Sequence, residues 1–321
     1  MNISEKLELI KRNVSEIITD EEIINLLKKS KKPVVYCGYE PNGALHLGHF
    51  VTIIKLIDFA KTGFKVKVLL ADVHAMLNRK GEEDKIKKEV ENWRKTINAI
   101  GIKAEIVLGS DFQFKKEYQL DVMKLAQHSS INRGLRSMQE IARDIENATI
   151  SQLWYPLMQV ADIKHLGVDV ALGGMEQRKV HMIGKDSAKT IDYNFIAVHT
   201  PLITSLKGPG QKMSKSAEGS GISVVDSYDE IKKTINIAYC PQGEIKDNPI
   251  LQITKLIIFP KVNVLKIERA AKFGGKLFFK NYDELEKSYA SGKLHPMDLK
   301  NCVVEELEKI IAPIRKKLSK I

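Results

Sequence analysis

The sequence predicts an α/β protein in which a Rossmann-like parallel sheet occupies residues 1–225 and a mostly helical domain occupies residues 226–321. Three observations favour this fold class. Short apolar runs alternate with amphipathic helical patterns between residues 33 and 110, which is typical of parallel sheets with right-handed crossovers. After Ser227 the apolar side chains recur with helical spacing. The length of 321 residues also suits one large domain and one smaller domain.

The first elements follow in chain order. Apolar side chains recur with helical spacing over residues 1–30. A short apolar run then opens after Pro33 and closes at Gly38, which predicts a buried strand. A helix with one apolar face follows over about 46–61, and the apolar run 65–72 predicts a second buried strand.

The same alternation continues further along the chain. Residues 82–99 predict a charged amphipathic helix, and residues 104–110 predict a third strand. Residues 115–165 have mostly helical spacing, and we interpret about 115–150 as a helical insertion. The remaining predicted elements are a strand over 168–174, a glycine- and lysine-rich loop over 206–221, and helices over 228–238, 248–258, 282–290 and 297–318.

Composition narrows the class of protein. The chain contains no long uninterrupted apolar stretch, which argues against a membrane span, and its first residues lack the features of a signal peptide. The three cysteines lie far apart and form no CxxC pair, which argues against a disulfide framework or a zinc ribbon. We therefore expect a cytoplasmic protein with no protein-bound metal.

The positive charge is concentrated near the end of the chain. The net charge is +11, and residues 231–321 contribute 18 Lys and Arg against 10 Asp and Glu. A basic segment of this kind suits a polyanionic partner, and nucleic acid is the first candidate. A lysine-rich solvated surface explains the charge equally well, so charge alone leaves both interpretations open.

Small and polar residues end the predicted strands. Open parallel sheets bind ligands beyond the carboxyl ends of their strands, so we expect the functional site there. The residues at these ends are Tyr36–Gly38, Ala71–His74 and Ser110–Gln113.

The first motif is the tetrapeptide His46-Leu47-Gly48-His49 at a predicted helix start. The unpaired N–H groups and partial positive charge of a helix N-terminus attract phosphate. His46 and His49 share one helix face and could donate hydrogen bonds to phosphate oxygens, while Gly48 leaves room for a flat base. Histidines three residues apart also occur on surfaces and in metal sites, so the motif alone does not decide its role.

The second motif lies in the glycine-rich loop and reads Lys212-Met213-Ser214-Lys215-Ser216. Two lysines three residues apart on a mobile loop can hold a pyrophosphate leaving group, and the serine hydroxyls add donors. Taken alone, such a loop is more commonly a solvated surface.

Together the two motifs resemble the paired signatures of class I aminoacyl-tRNA synthetases. HLGH is similar to the signature HIGH, and KMSKS matches the second signature letter for letter. The segments YCGYEPNGALHLGH, LLADVHAML, YPLMQVADI and LGVDVALGGMEQRKVHM resemble archaeal tyrosyl-tRNA synthetases. The resemblance implies a catalytic domain over 1–225 and an anticodon-binding domain over 226–321.

The resemblance implies a two-step reaction that joins L-tyrosine to tRNA(Tyr). The carboxylate of tyrosine attacks the α-phosphate of ATP, pyrophosphate leaves with Mg²⁺ carried on the phosphates, and the terminal ribose hydroxyl of the tRNA attacks the adenylate. We expect catalysis by positioning and charge stabilisation. The residues implied as catalytic are His46, His49, Lys212 and Lys215, and those implied to bind ATP are these four with Gly38, Gly48, Met213 and Ser214.

Selection of tyrosine requires groups that bind the phenolic hydroxyl, because those groups stay unpaired when phenylalanine binds. The resemblance assigns this role to Tyr36 and Asp162. A tyrosine hydroxyl can donate and a carboxylate can accept, so the pair would satisfy both sides of the ligand hydroxyl. The local pattern by itself favours a buried strand tyrosine and an acid on a helix surface.

Tyr155, Gln159 and Asp162 fall on one face of a predicted helix. The resemblance implies that Tyr155, Gln159 and Gln177 bind the α-ammonium group. We expect neutral oxygens there, because an anion would repel the reacting carboxylate and ATP. From the pattern alone, Tyr155 would be a core contact and Gln159 solvated. The residues expected to form or support the remaining pocket walls are Leu69, His74 and Gln113.

The resemblance also implies contacts with tRNA. Arg136 and Arg178 would read the first acceptor base pair, since arginine suits both phosphate and base edges. Phe273 would stack on an unpaired anticodon base, with Asp298 accepting from a guanine edge and His295 beside them. Phe273 could instead pack in a core, and Asp298 could cap the helix that follows.

Three alternatives remain at this point: a tryptophanyl-tRNA synthetase, a non-catalytic RNA-binding paralogue, and a small-molecule nucleotidylyltransferase with a similar histidine motif. The resemblance favours a homodimer, for which the helical segment 115–150 is the expected contact surface.

Overall fold

The computed structural model describes residues 1–141, 145–214 and 219–320. The chain divides into two compact units, the first of Met1–Gly43 with Lys55–Pro201 and the second of Ala44–Ile54 with Leu202–Ile321. The boundary predicted after residue 225 separates a catalytic domain from an anticodon-binding domain. The two units are defined only by how compactly the chain packs, so the functional boundary stays a prediction.

The first unit alternates strands and helices, and the third helix starts in the segment assigned to the second unit. In chain order the elements are α1 (Ile3–Lys11), β1 (Glu16–Ile18), α2 (Asp20–Lys29), β2 (Val34–Tyr39), α3 (Leu47–Lys61), β3 (Lys65–Leu70), α4 (Asp72–Leu77), α5 (Glu83–Ile100), β4 (Ala104–Leu108), α6 (Lys116–Gln127), α7 (Ile131–Met138), α8 (Ile150–His165), β5 (Val170–Gly174), α9 (Arg178–Asp186), α10 (Ala188–Ile191) and β6 (Ile196–Thr200).

The described strands of the first unit form one sheet in the order β1-β6-β5-β2-β3-β4. All neighbours pair in parallel except β1, which pairs antiparallel with β6 at one edge. The α/β prediction is therefore confirmed, with β2, β3, β4 and β5 where strands were expected. Strands β1 and β6 were not predicted, because β1 has only three residues and a short apolar run such as β6 carries no distinctive period.

Helix α8 is buried on nearly all sides. Val160 and Ala161 belong to an apolar cluster shared with α6 and α9, whereas Ile163 packs with residues of the sheet such as Leu69 and Ala197. A helix covered on both flanks has no solvated surface near its middle. The middle of α8 can therefore present polar groups only to an internal cavity or to other buried groups.

The second unit is mostly helical, as predicted. Its elements are α11 (Tyr228–Ile237), α12 (Pro249–Ile253), β7 (Leu265–Ile267), β8 (Leu277–Phe279), α13 (Tyr282–Ala290) and α14 (Pro296–Leu318), and a π-helical segment over Thr254–Ile258 continues α12. Strands β7 and β8 pair antiparallel and were not predicted.

Two further findings concern the described part of the chain. None of its helices combines the length and apolar character needed to cross a lipid bilayer. Cys37, Cys240 and Cys302 are all free thiols.

Candidate active site

A pocket of about 280 Å³ opens at the carboxyl ends of β2 and β3, the edge at which the sequence predicted a site. Its walls come from these strands, from α4 and α8, and from the turn after β5. The lining residues are Tyr36, Gly38, Glu40, Leu69, Ala71, His74, Tyr155, Gln159, Asp162 and Gln177. Most residues predicted to bind tyrosine therefore share one cavity within the first unit.

Asp162 is the most deeply buried polar group of this wall, with none of its surface exposed. Gln113 donates from Nε2 to Oδ1 of Asp162 at 2.7 Å, and the hydroxyl of Tyr118 donates to the same oxygen at 2.8 Å. Oδ2 is buried and accepts no hydrogen bond. Burial raises the pKa of Asp162 to about 7, because a low-dielectric site disfavours the charged carboxylate. The alternative of a helix-surface acid is wrong.

Tyr36 lies within β2, three residues before its end, faces the same cavity and is 1% exposed. Burial, followed by the nearby charge of Asp162, holds the pKa of its hydroxyl well above the usual range. The hydroxyl therefore stays protonated and can donate a hydrogen bond. One wall of the pocket thus offers a donor at Tyr36 and an open acceptor at Asp162.

His74 and Gln113 support this wall, as predicted. Nε2 of Gln113 lies 3.3 Å from Nδ1 of His74, and Nε2 of His74 lies 3.6 Å from Oδ2 of Asp162. Burial lowers the pKa of His74 to about 4, so its imidazole is neutral at pH 7. If Gln113 donates to Nδ1, the ring proton sits on Nε2 and points towards Asp162.

A carboxylate lies at the other end of the pocket. The hydroxyl of Tyr155 donates to Oε1 of Glu40 at 2.7 Å, and Nδ2 of Asn78 lies 3.2 and 3.1 Å from the two oxygens of the same carboxylate. Lys80 places its ammonium 3.8 Å from Glu40. The pocket wall beside Tyr155 therefore includes an anion, whereas neutral oxygens were expected around the ammonium group, whose position stays a prediction.

Two glutamines complete this end of the pocket. Nε2 of Gln159 donates to Oε1 of Gln177 at 3.1 Å. Oε1 of Gln159 is buried and accepts no hydrogen bond. A buried oxygen without a donor carries a desolvation penalty that a bound cationic or N–H group removes. Tyr155 and Gln159 thus both line the pocket, where Tyr155 is also buried in the core and Gln159 is partly exposed.

The histidine motif forms the start of α3 in the second unit. Nδ1 of His46 accepts the N–H of Gly48 at 3.1 Å, and Nδ1 of His49 lies 3.4 Å from the N–H of His46. The two rings stack with centroids 3.7 Å apart. Because each Nδ1 accepts from the backbone, each ring carries its proton on Nε2, where it can donate to a ligand.

Charge and space around this motif are also defined. Burial is the main cause that holds the pKa of His49 well below its usual value, and the neighbouring His46 and Lys212 lower it further, so His49 is neutral at pH 7. A Cβ atom on Gly48 would lie 2.9 Å from Cε1 of His46 and 3.7 Å from the carbonyl oxygen of Met213. The helix start and the beginning of the lysine loop therefore lie close together, and a Cβ at position 48 would displace the ring of His46.

The described ends of the lysine loop are firmly held. Met213 is buried, and its N–H donates to the carbonyl of Ile203 at 2.7 Å. The hydroxyl of Ser220 donates to the carbonyl oxygen of Ser214, and a Cβ on Gly221 would lie 2.7 Å from that oxygen. Lys215 and Ser216 lie outside the described residues.

Comparison with known proteins identifies the family. Residues 28–312 match the family described as tRNA synthetases class I (W and Y). The tyrosine–tRNA ligase of Methanocaldococcus jannaschii is 48% identical over 315 residues, which cover 98% of this chain and 100% of the relative. That of Methanosarcina mazei is 46% identical over 318 residues, with 98% and 99% covered.

A solved structure agrees with these relatives. The crystal structure of tyrosyl-tRNA synthetase complexed with L-tyrosine from Archaeoglobus fulgidus matches with a TM-score of 0.95 at 44% identity. The match covers 99% of this chain and 100% of that chain. The chain belongs to the tyrosyl-tRNA synthetase family. The resemblance inferred from the two signature motifs is thus confirmed.

Within this family member, the two predicted acceptor-reading arginines lie on helices that pack together, α7 and α9. Arg136 is exposed, and its Nε donates to the carbonyl of Asn132 at 3.3 Å. Arg178 donates from Nε and Nη2 to the carboxylate of Glu16 at 2.8 and 3.0 Å. The role of both arginines stays a prediction, but their placement leaves the Arg136 side chain and part of Arg178 accessible.

The predicted anticodon-reading residues lie in the second unit. Phe273 is 61% exposed, so the alternative of core packing is wrong for this residue. The cap of α14 is His295, whose Nδ1 accepts the N–H of Met297 at 3.2 Å. Asp298 lies in the first turn of α14 and is not its N-cap, so that alternative is also wrong. The first-turn position still places a negative charge favourably near the helix N-terminus.

Two residues that shape the pocket were not predicted from the sequence, Glu40 in its lining and Tyr118 behind Asp162. Glu40 lies within the recognised segment that starts at Tyr36, and its position after a predicted strand end was a usable signal. Tyr118 is fully buried on α6, yet nothing in its local pattern separates it from an ordinary core aromatic. Among the described residues, no group of three or more His, Cys, Asp or Glu side chains is arranged to hold a metal ion.

Proposed function

We propose that this protein is a tyrosine–tRNA ligase that activates L-tyrosine with ATP and transfers the tyrosyl group to the 3′ end of tRNA(Tyr). The observation that carries the proposal is the open Oδ2 of Asp162 in a pocket that Tyr36 also lines. Relatives that match over their full length are tyrosine–tRNA ligases by name, which favours tyrosine over tryptophan.

The phenol would be bound from two sides. Oδ2 of Asp162 would accept a hydrogen bond from the phenolic hydroxyl, and the hydroxyl of Tyr36 would donate one to the phenolic oxygen. Phenylalanine has no hydroxyl, so it would leave a buried carboxylate oxygen and a buried hydroxyl unpaired. An unsatisfied buried polar group costs about 1–3 kcal/mol, and more when it is charged. Leu69 would pack against the ring, and His74 and Gln113 would hold Asp162 in place.

The α-ammonium group would lie between Tyr155, Gln159 and Gln177, with Glu40 behind them. Tyr155 donates its proton to Glu40, which leaves the hydroxyl oxygen of Tyr155 free to accept from the ammonium. Lys80 partly neutralises the charge of the Glu40 carboxylate, and Asn78 donates a hydrogen bond to it, so the repulsion of ATP that argued against an anion here is reduced.

The phosphates of ATP would be bound by the two signature motifs. His46 and His49 donate from Nε2 to phosphate oxygens, and Lys212 supplies positive charge as pyrophosphate leaves. Lys215 enters this proposal from the sequence alone. We assign ATP contacts also to Gly38, Gly48, Met213 and Ser214, with Mg²⁺ bound through the phosphates. Catalysis then rests on positioning and on charge stabilisation of the transition state.

For tRNA, we assign the acceptor end to Arg136 and Arg178 and the anticodon to Phe273, His295 and Asp298. The exposed ring of Phe273 is suited to stacking on an unpaired base. We accordingly keep the functional division into a catalytic domain over 1–225 and an anticodon-binding domain over 226–321. As a translation enzyme, the protein would work in the cytoplasm.

We also propose a homodimer formed through the segment 115–150. Apolar side chains at and just before this segment are exposed, and large exposed apolar residues mark contact surfaces. The exposed fractions are 67% for Phe114, 46% for Leu120, 52% for Met123 and 70% for Ile131.

ATP–pyrophosphate exchange tests the proposal directly. The purified protein is assayed with each of the twenty amino acids, and exchange should depend on tyrosine alone. Exchange with tryptophan would favour the tryptophanyl alternative. Absence of exchange with any amino acid, together with retained binding of tRNA, would favour a non-catalytic RNA-binding protein.

A further inference from the structure

Arg178 starts α9 directly after Gln177, which lines the amino-acid pocket. Its guanidinium donates from Nε to Oε2 of Glu16 at 2.8 Å and from Nη2 to Oε1 at 3.0 Å. A two-point contact of this geometry fixes the plane of the guanidinium as well as its position. The arginine assigned above to the acceptor end of tRNA is therefore oriented before any RNA binds.

Glu16 is itself held by a hydrogen-bond network of buried side chains. It lies on β1 in register with His199 on β6, and Nδ1 of His199 is 3.1 Å from Oε2 of Glu16. Nε2 of His199 is 3.0 Å from Nδ1 of His181 on α9, and both imidazoles are fully buried. Because the Glu16 carboxylate accepts only, His199 donates from Nδ1, and its Nε2 must accept from His181.

This hydrogen-bond network starts and ends on the same helix, α9. Arg178 and His181 both belong to α9, so Glu16 contacts the start of α9 directly and the next turn through His199. The ring of His181 also lies beside Gly173, where an added Cβ would be 3.4 Å from its Cε1. The network thus fixes one arginine against the end of the sheet.

The contact leaves the outer edge of Arg178 available. A guanidinium has five N–H donors, and Glu16 uses one on Nε and one on Nη2. Both N–H groups of Nη1 and the second one of Nη2 remain, which is enough for a two-point contact with a guanine edge or a phosphate. The side chain of Arg178 is 42% exposed, so this edge is accessible.

We propose that Glu16 is a positioning residue that presets the guanidinium of Arg178 for the acceptor end of tRNA. The proposal rests on the tRNA role assigned to Arg178 under the proposed function. An arginine side chain that is already ordered loses less conformational freedom on binding than a free one. Loss of the Glu16 carboxylate should therefore weaken tRNA binding without affecting adenylate formation.

The test is Glu16→Gln, which keeps the size of the side chain but replaces one acceptor oxygen with an N–H₂ group. We expect the KM for tRNA(Tyr) in aminoacylation to rise on the order of tenfold, the effect of about one charged hydrogen bond. Tyrosine-dependent ATP–pyrophosphate exchange should keep its wild-type kcat and KM.

Glu22→Gln is the matched control. Glu22 forms an ion pair with Lys185, which also belongs to α9, at 3.0 Å, and glutamine can replace glutamate in the capping box at Thr19. This variant should leave the KM for tRNA(Tyr) unchanged. An equal rise for Glu22→Gln and Glu16→Gln would mean general loosening of α9 and would overturn the proposal.

A double-mutant cycle separates action through Arg178 from other effects. In an Arg178→Ala background, Glu16→Gln should change the KM for tRNA(Tyr) no further. Additive effects, an unchanged KM in Glu16→Gln alone, or a lowered KM would each refute the proposal. Failure of the wild-type protein to exchange pyrophosphate with tyrosine would instead refute the proposed function, so the two failures are distinguishable.

Discussion

The wall of the pocket that contains Tyr36 and Asp162 is proposed to bind the phenol of tyrosine, and this proposal predicts the effect of Tyr118→Phe. The hydroxyl of Tyr118 lies 2.8 Å from Oδ1 of Asp162 and 2.8 Å from the carbonyl oxygen of Met158. One proton is shared between the two acceptors, and phenylalanine removes it while keeping the ring. The substitution therefore takes one of two donors from the carboxylate that would accept the phenol of tyrosine.

The expected size of the effect follows from the pKa of Asp162. A hydrogen bond to a charged group contributes about 1.5–3 kcal/mol, and sharing with Met158 places this one at the lower end. One pKa unit corresponds to about 1.36 kcal/mol, so the pKa of Asp162 should rise about one unit above its value of about 7. At pH 7 the ionised fraction would then fall from about one half to about one tenth.

Tyrosine-dependent ATP–pyrophosphate exchange from pH 6 to pH 9 measures this shift. A protonated Asp162 cannot accept from the phenol through the same oxygen, so kcat/KM for tyrosine should fall about fivefold at pH 7 and recover by pH 9. Tyr193→Phe is the matched control, because the Tyr193 hydroxyl donates to the carbonyl of Val168. An unshifted acid limb, or an equal loss at every pH, would refute the reasoning.

Three more predictions follow from named contacts. Asp162→Asn should stabilise the ligand-free protein by up to about 4 kcal/mol at pH 8 and by less than about 1 kcal/mol at pH 4, as measured by urea unfolding. Burial raises the pKa of the folded carboxyl from its ordinary value of 3.8 to about 7, so the wild-type protein loses folding stability as pH rises through that window. Destabilisation at pH 8 would contradict the raised pKa. Gly48→Ala should lower kcat for pyrophosphate exchange about tenfold or more, because the new Cβ would displace the ring of His46. The free energy of unfolding should not fall, because alanine adds up to about 1 kcal/mol of helix propensity. An unchanged kcat would show that the motif tolerates displacement of His46. The double variant Leu120→Glu with Met123→Glu should sediment as a monomer where the wild type sediments as a dimer, and a persistent dimer would place the interface elsewhere.

Local features of the sequence were sufficient to predict most of the strands and helices. The strands β2 to β5 and the longer helices between them were predictable because apolar period, glycine and proline act over a few neighbouring residues. The short helix α4 was not predicted, because six residues carry too little of a helical period. The paired signatures around His46 and Lys212 were recognisable for the same reason, since each is a continuous segment. The pairing of Tyr36 with Asp162 came from resemblance, because the local pattern favoured a helix-surface acid at Asp162 and only an ordinary buried strand tyrosine at Tyr36.

Three contacts that define the site were beyond local reasoning. Tyr118 and Asp162 are 44 residues apart in the chain, Glu40 and Tyr155 are 115 apart, and Glu16 and Arg178 are 162 apart. Each residue belongs to a segment whose local pattern fits other surroundings as well. Which of its faces is covered, and by which partner, depends on how the sheet orders its strands.

The sequence by itself therefore determined the kinds of most elements, their order and the two family signatures, because these are properties of short continuous segments. Only the tertiary structure decided that Asp162 keeps one bonded and one open oxygen, that the Glu40 carboxylate lines the pocket beside Tyr155, and that Arg178 is held by Glu16. A side chain becomes buried and paired only when segments distant in the sequence pack together. The free energy of a charged group depends on its burial and its partners, so it cannot be read from one segment.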